Sequence, residues 1–147
     1  MTFTRAQDVR GFTIPLEQSV TIGTYPKGTR VGCDVVAHDR IQHALARNSE
    51  SFAELLFTPN ERGEISASIG ASPEARFAAK EAVLKALSHG LSGGLSLLQI
   101  STEADGIGLA STAAKLAGPV RVERAFTTTA NHVVACVWLV PKLPGNQ

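Results

Sequence analysis

Two carboxylates, Asp34 and Glu81, stand where the neighbouring residues are apolar, and carboxylates hold metal ions or move protons. Asp34 lies in the strand-like run Arg30–Val36, RVGCDVV. Side chains alternate along a strand, so Gly32 and Val36 share the face of Asp34. A carboxylate buried alone among valines costs several kcal/mol, so it requires a cation, an arginine or a set of N–H donors. A structural aspartate that caps a turn explains the position equally well.

The second carboxylate belongs to the segment ARFAAKEAVLKAL, residues 75–87, which is typical of a helix. At about 100° per residue, large apolar residues line one side and alanines the adjoining side: Phe77, Leu84 and Leu91, then Ala78, Ala82 and Ala86. Glu81 and Lys85 project between these sides, whereas an ordinary charged pair lies opposite an apolar stripe. The alternative is a helix salt bridge, which contributes only about 0.2–0.5 kcal/mol. Arg76 and Lys80 lie elsewhere on the helix and either reach another part of a ligand or meet solvent.

Together these residues favour magnesium chemistry on a phosphorylated substrate. Asp34 and Glu81 can hold one Mg²⁺ through oxygen atoms and leave positions for water and phosphate. Lys85, one helical turn after Glu81, reaches the same polyanion as a point charge. The metal would neutralise charge on a leaving diphosphate. A further polar stretch, Thr127–His132, is predicted to be a turn in which the histidine is structural.

The composition limits the class of protein. The chain has 147 residues, of which 44% are hydrophobic and 18% charged, as in one soluble globular domain. A net charge of +1 provides no general attraction to nucleic acid or an anionic membrane, and no apolar run approaches the roughly 20 residues of a membrane span. The N-terminus lacks a secretory signal, so we expect a cytoplasmic protein. Cys33 and Cys136 are expected to be buried free thiols.

The coarse pattern of the chain predicts alternating strands and helices. The predicted strands are Arg30–Val36, Leu97–Thr102, Ile107–Ala110, Val120–Thr127 and Val133–Val140. The predicted helices are Asp39–Arg47, a helix that begins at Thr58-Pro59 with Glu61 closing a capping box, Glu74 to about Leu87, and Ser111–Leu116. Leu91–Gly94 is predicted to be a loop.

This order predicts an α+β fold, a compact single domain in which helices pack on a mostly antiparallel sheet. The domain is expected to span residues 31–140. Residues 1–30 are expected to form an irregular N-terminal arm with one short strand at Ser19–Tyr25, and residues 141–147 a tail.

From about Val31 to Leu139 the sequence resembles the small phosphopantetheinyl transferases of the holo-acyl-carrier-protein synthase type. VGCDVVAHDRI is similar to the family's G-x-D-[IV]-V…R-[IV] opening, LFTPNE to its F-T-x-x-E segment, and ARFAAKEAVLKAL to its signature helix. Separate motifs in the right order are more specific than a lone loop signature. The resemblance implies the 4′-phosphopantetheinyl transferase fold and a homotrimer with coenzyme A held between neighbouring subunits. Val133–Val140, apolar on both faces, agrees with burial beyond one subunit.

The resemblance also implies an activity, Mg²⁺-dependent transfer of 4′-phosphopantetheine from coenzyme A to a serine of an acyl or peptidyl carrier protein. Asp34 and Glu81 would bind the metal. Glu81, or a water that it orients, would take the serine proton. Lys85 would bind and stabilise the departing phosphate.

Further residues take binding roles by the same resemblance. Arg76, and His89 with Gly90 in the turn after the signature helix, would lie near the phosphates of coenzyme A. Arg40 would contact the carrier protein. Thr128 stands where the family usually has a histidine in S-[IL]-S-H, and it would face coenzyme A without a ring nitrogen.

Two other functions are compatible with these departures from the family pattern. One is a degenerate member that binds coenzyme A or a carrier protein without turnover. The other is the fold recruited to different chemistry on a carrier-bound or coenzyme A substrate. The retained Asp34, Glu81 and Lys85 favour the transferase.

Overall fold

The fold is that of a computed structural model, which describes residues 24–65, 71–103 and 106–143. The elements in chain order are β1 (Arg30–Ala37), α1 (His38–Leu56), α2 (Pro59–Glu64), α3 (Pro73–Ala86), a 3₁₀ turn (Leu97–Gln99), β2 (Ile100–Glu103), β3 (Gly106–Leu109), α4 (Ser111–Ala117), β4 (Val120–Thr128) and β5 (His132–Pro141). Within the described ranges β1, β5 and β4 form an antiparallel sheet in that order, and β2 pairs with β3 in a second one. The predicted α+β class with antiparallel pairing is therefore confirmed.

Helix α3 lies across one face of the three-stranded sheet, against β1 and β5. The helix begins at Ser72, whose hydroxyl accepts a hydrogen bond from the backbone N–H of Ala75 at 3.2 Å, with Pro73 in the first turn. This cap satisfies one of the orphan N–H groups at the start of the helix. The buried alanines of α3 let the backbone of β1 approach the helix closely. These alanines belong to the central hydrophobic core.

The register fixes which residues share the face that α3 covers. Asp34 pairs with Ala135 and Gly32 with Val137, and both β5 partners are fully buried. Asp34 and Gly32 therefore face α3, as the predicted alternation requires.

Two predicted boundaries were wrong. The helix predicted at Asp39–Arg47 extends to Leu56, because no glycine or proline interrupts the chain there and Phe52 and Leu56 supply further core contacts. Residues 97–99 form a 3₁₀ turn before the short strand β2. The predicted capping box at Thr58 and Glu61 is present.

The prediction of buried free thiols was also wrong. Cys33 on β1 and Cys136 on β5 are direct partners in the register, and they form a disulfide with their Cα atoms 4.2 Å apart. Cys33 lies on the exposed face of the sheet. Spacing along the chain gave no sign of this pair, because the residues are 103 positions apart and only the strand register brings them together.

The sheet face opposite α3 carries apolar side chains that no described helix covers. Val31 and Val35 are 52% and 56% exposed. Tyr25, which precedes β1, stacks on Trp138 with ring centroids 6.4 Å apart, and its hydroxyl donates to Glu123 at 2.8 Å. Residues 1–23 of the predicted arm, with most of the strand expected at Ser19–Tyr25, lie outside the described residues, as do residues 144–147; Thr24 and Tyr25 are described and belong to no strand. None of the described helices combines the length and apolar character needed to cross a membrane.

Candidate functional site

The candidate site lies where β1 passes over the second half of α3. A Cβ atom at Gly32 would overlap the carbonyl oxygen of Ala82 and lie 2.6 Å from the backbone nitrogen of Ala86. Only glycine permits this approach of strand and helix. Two residues later on the same face, Asp34 is held beside the surface of α3 that carries Glu81 and Lys85.

Asp34 and Lys85 form an ion pair at the edge of this contact. The Nζ of Lys85 lies 2.6 Å from Oδ1 of Asp34 and also donates to the carbonyl oxygen of Cys33 at 3.0 Å. The Asp34 side chain is 15% exposed and that of Lys85 54% exposed. The lysine side chain thus remains accessible to a ligand while it pairs with the aspartate.

Glu81 completes the group. Partial burial raises the pKa of the Glu81 carboxyl, and the negative charge of Asp34 raises it further, while Lys85 and Arg40 act in the opposite direction. The charge of one carboxylate therefore disfavours ionisation of the other. A raised pKa makes Glu81 a stronger base than an ordinary glutamate. The predicted group of Asp34, Glu81 and Lys85 is brought together, with Arg40 of α1 close enough to act on Glu81.

A buried ion pair under the site anchors α3. Lys80 and Glu61 are fully buried, with Nζ 2.7 Å from Oε2. Lys80 also donates to the carbonyl oxygens of Leu56 at 2.7 Å and Leu97 at 3.1 Å. Glu61 accepts from the backbone N–H and hydroxyl of Thr102, both at 2.7 Å. The alternative that Lys80 meets solvent was wrong, because three acceptors make its burial possible.

The Glu61 carboxylate keeps its charge in this site. Burial acts to raise its pKa, but hydrogen bonds from Lys80 and Thr102 and from the backbone of Thr58 outweigh burial and hold the pKa below its ordinary value. The cap of α2, the hairpin strand β2 and α3 are therefore tied to one buried charge. The sequence identified Glu61 only as the capping-box residue of α2. Its ion pair with Lys80 could not be predicted, because only the fold brings the two side chains together.

Arg76 lies away from the carboxylates, near the start of α3. Its guanidinium donates to the backbone oxygen and hydroxyl of Thr102 and pairs with Glu64 at 3.3 Å. The side chain is 3% exposed. The partners of Arg76 in the structure are protein groups. Its predicted contact with a nucleotide stays a prediction, and it would require the ion pair with Glu64 to open.

The turn after α3 carries His89 and Gly90. Ser88 has a positive φ of 54°, which ends the helix, and the His89 N–H donates to the carbonyl oxygen of Leu84 at 3.1 Å. His89 is half-buried and Gly90 exposed. They follow Lys85 by four and five residues, and their predicted place near the phosphates of coenzyme A stays a prediction.

Thr128 has a histidine beside it that the sequence analysis did not single out. The Nε2 of His38, the first residue of α1, lies 3.3 Å from the Thr128 hydroxyl oxygen and 3.2 Å from the Thr129 carbonyl oxygen. A ring nitrogen of another residue therefore lies beside Thr128, and the predicted contact of Thr128 with coenzyme A stays a prediction. The two residues are 90 positions apart, and only the sheet register unites them. His132 is half-buried, and its backbone closes the β4–β5 turn by bonds to Thr129.

The metal ligands available in the site are two carboxylates. No group of three or more His, Cys, Asp or Glu side chains suited to a metal occurs in the part of the chain that the structure describes. Mg²⁺ is commonly bound through one or two carboxylates plus water and substrate phosphates. Burial and the repulsion from Asp34 both raise the pKa of Glu81, and a divalent cation held by the two carboxylates would relieve that repulsion.

Comparisons with known proteins agree on one family. Residues 30–137 match the family model of the 4′-phosphopantetheinyl transferase superfamily. A holo-[acyl-carrier-protein] synthase of Vibrio cholerae is 36% identical over 100 residues, which are 63% of this chain and 79% of the relative. The corresponding protein of Idiomarina loihiensis is 44% identical over 68 residues, 45% of this chain and 53% of the relative.

Solved structures show the same fold. The holo-[acyl-carrier-protein] synthase of Helicobacter pylori in complex with coenzyme A superposes with a TM-score of 0.62 and 26% identity, covering 75% of this chain and 98% of that one. The Neisseria meningitidis enzyme gives a TM-score of 0.60 at 26% identity, covering 75% of this chain and 96% of that one.

Proposed function

The chain belongs to the 4′-phosphopantetheinyl transferase superfamily as a member of the holo-acyl-carrier-protein synthase type, and we propose that it transfers 4′-phosphopantetheine from coenzyme A to a serine of an acyl or peptidyl carrier protein. The observation that carries this proposal is the group of Asp34, Glu81 and Lys85 at the β1–α3 contact. In this group two carboxylates that could hold a metal lie beside an exposed lysine. One of the carboxylates, Glu81, also has the raised pKa that suits a base.

Asp34 and Glu81 would hold Mg²⁺, which when bound neutralises charge on the diphosphate of coenzyme A. Lys85 pairs with Asp34, and its ammonium is exposed, so it could turn from the aspartate to a phosphate oxygen of coenzyme A. Such a charge-assisted contact to phosphate is stronger than a neutral hydrogen bond.

Glu81 would act as the general base. It accepts the proton of the carrier serine hydroxyl, directly or through one water. The serine oxygen then forms a bond to the phosphorus that bears the pantetheine arm, and the bond from that phosphorus to the bridging diphosphate oxygen breaks. The electron pair leaves on adenosine 3′,5′-bisphosphate, whose new charge Lys85 stabilises.

Arg40 would contribute to docking of the carrier protein. It lies near the start of α1, is exposed and acts on the charge of Glu81, so it borders the site without filling it. An acidic helix of a carrier protein would meet this arginine while its serine reaches Glu81.

A homotrimer would cover the apolar face of the sheet. Val31 and Val35 are more than half exposed, beside Trp138 and Tyr25, and a contiguous apolar surface of this kind is typical of a protein interface. Coenzyme A would then lie between neighbouring subunits, with the residues of β1 and α3 supplied by one of them.

The test is mass spectrometry of an apo carrier protein incubated with this protein, coenzyme A and Mg²⁺. We expect the mass of the carrier to rise by one phosphopantetheine group, with loss of transfer in excess EDTA and in Asp34→Asn. Arg62→Gln is a matched surface control, because Arg62 lies on α2 and pairs with Glu54. Coenzyme A binding without any mass change over a panel of carrier proteins would instead support the non-catalytic alternative.

A further inference from the structure

The Cys33–Cys136 disulfide ties β1 to β5 directly beside the Asp34–Lys85 pair. Cys33 precedes Asp34 on β1, and its backbone carbonyl oxygen accepts a hydrogen bond from Nζ of Lys85 at 3.0 Å. The same ammonium group lies 2.6 Å from Oδ1 of Asp34. The side chain of Cys33 lies on the opposite face of the sheet and is bonded there to Cys136. Cys33 therefore connects the candidate site with the exposed face of the sheet.

The strand register explains why this carbonyl oxygen is available to a lysine. Cys33 and Cys136 are opposite each other, with Cα atoms 4.2 Å apart. This separation is close to the roughly 4.5 Å of an antiparallel pair that exchanges no backbone hydrogen bonds. β5 therefore leaves the Cys33 carbonyl oxygen unused, and among the described strands β1 has no other neighbour. At this residue the direct link between β1 and β5 is the disulfide.

The disulfide is open to attack by a dithiol reductant. Cys33 is exposed and Cys136 half-buried, and Val31 and Val35 on either side of Cys33 are more than half exposed. A thiolate of the reductant would bond to Sγ of Cys33, and Cys136 would leave with the electron pair and take up a proton. The second thiol of the reductant then attacks the mixed disulfide, closes a disulfide within the reductant and releases Cys33 as a thiol. The protein thus gains two electrons and two protons, which the dithiol loses.

We propose that the Cys33–Cys136 disulfide is a reversible switch that positions Lys85 for coenzyme A, and that its reduction by a dithiol weakens coenzyme A binding. The proposal rests on the transferase function proposed above, in which Lys85 binds a phosphate oxygen. In the bonded form the Cys33 carbonyl oxygen is fixed and anchors the ammonium of Lys85. After reduction β1 is held at this residue only through its neighbours, so the lysine loses part of its anchor. The alternative is a disulfide that only stabilises the fold and has no effect on ligand affinity.

Calorimetric binding of acetyl-coenzyme A in the presence of Mg²⁺ compares the oxidised and the reduced wild type. Acetyl-coenzyme A has no free thiol, so it cannot itself open the disulfide. We expect reduction with dithiothreitol to weaken binding about fivefold, the effect of one ordinary hydrogen bond. Cys33→Val/Cys136→Val should bind as weakly as the reduced wild type and should not respond to dithiothreitol. Valine suits a strand, so this variant keeps the test decisive should the reduced wild type unfold, and circular dichroism checks the fold of each form.

The same comparison in Lys85→Gln tests whether the disulfide acts through Lys85. This variant should bind more weakly overall, but equally well in the oxidised and the reduced form, because the ammonium that the Cys33 carbonyl oxygen anchors is gone. Lys115→Gln is the matched control, since Lys115 is an exposed lysine of α4 outside the candidate site, and it should keep the fivefold difference. Equal redox dependence in both lysine variants would show a general loosening of the fold and would overturn the positioning of Lys85.

The linkage between ligand and disulfide gives a second readout that requires no transfer reaction. A ligand that binds the oxidised form about fivefold more tightly stabilises that form by the same factor. Saturating acetyl-coenzyme A and Mg²⁺ should therefore lower the midpoint reduction potential of the disulfide by about 20 mV. Titration in dithiothreitol redox buffers, with free thiols counted by alkylation and mass spectrometry, measures this shift. An unchanged midpoint would overturn the switch.

Three outcomes keep this proposal distinct from the proposed function. Redox-dependent binding of acetyl-coenzyme A without transfer to any carrier protein would contradict the transferase and retain the switch. Transfer activity with equal affinity in the oxidised, reduced and valine forms would retain the transferase and overturn the switch. A disulfide that dithiothreitol cannot open in the folded protein, as in a homotrimer that covers Cys33 completely, would also overturn the switch.

Discussion

Replacement of Lys80 by methionine should destabilise the protein far more than any exposed lysine of the same helix. Methionine fills much of the same space but donates no hydrogen bond. The substitution leaves Glu61 charged and without its cation, and it leaves the carbonyl oxygens of Leu56 and Leu97 without a donor that they now have at 2.7 and 3.1 Å. Breaking a buried pair from one side costs about 3–5 kcal/mol.

The magnitude translates into a large thermal shift. An unfolding entropy of about 2.1 cal/mol/K per residue corresponds to roughly 0.3 kcal/mol/K for a chain of this length, so the Tm should fall by roughly 10–16 °C. Denaturant unfolding and calorimetry at a fixed protein concentration measure the change. Lys85→Met, on the same helix with a side chain that is 54% exposed, is the control and should cost no more than about 1 kcal/mol.

A double variant, Lys80→Met/Glu61→Leu, tests the cause of the loss. With both charges removed, no unpaired ion remains in the core, and stability should recover part of the way toward wild type. A Lys80→Met protein that unfolds within about 1 kcal/mol of wild type would refute the reasoning, because it would mean that the buried ammonium contributes nothing that a thioether cannot.

Three further predictions concern the site and the sheet that carries it. Glu81→Gln should lower the transfer rate by about 10²- to 10⁴-fold while it raises stability at neutral pH. The folded pKa of Glu81 is raised, so the wild type gives up stability as the pH rises through that pKa, and the difference between the two unfolding curves should vanish below about pH 4. Gly32→Ala should lower the free energy of unfolding by about 1–3 kcal/mol or more, because the added Cβ would overlap the Ala82 carbonyl oxygen. An unchanged midpoint of denaturant unfolding would contradict the close approach of β1 to α3. Cys33→Ser/Cys136→Ser should lower stability by up to about 4–5 kcal/mol, as does release of a loop near 100 residues long, and addition of dithiothreitol should lower the stability of wild type but not of the variant.

Local sequence signals predicted the elements that make the site. The alternation in β1 placed Asp34 on the face of Gly32, and the 100° periodicity of α3 placed Glu81 and Lys85 on one border of its apolar surface. The capping box at Thr58 identified the start of α2. Each of these inferences depends on residues close together in the chain, where periodicity and backbone chemistry act directly.

Two contacts that the sequence analysis missed join residues far apart in the chain. The Cys33–Cys136 disulfide follows from the pairing of β1 with β5, and the His38–Thr128 contact from the position of α1 at the end of that sheet. Composition favours free thiols in a chain with two cysteines, and no local pattern opposes that inference. A strand register that is off by one residue would separate both pairs, so neither could be predicted before the topology was known.

Helix α3 shows why charge in an apolar sequence has no single meaning. Lys80 and Glu81 are adjacent, yet a 100° rotation directs the lysine into the core against Glu61 and the glutamate to the edge of β1 beside Asp34. The lysine is satisfied by three acceptors and has no capacity left for a ligand. The pKa of the glutamate is raised by partial burial and by the nearby Asp34, and Lys85 and Arg40 offset this only in part, so a bound cation would stabilise its charge further. Glu81 is thus the residue that we propose as the general base, whereas its fully satisfied neighbour Lys80 holds the helix in place.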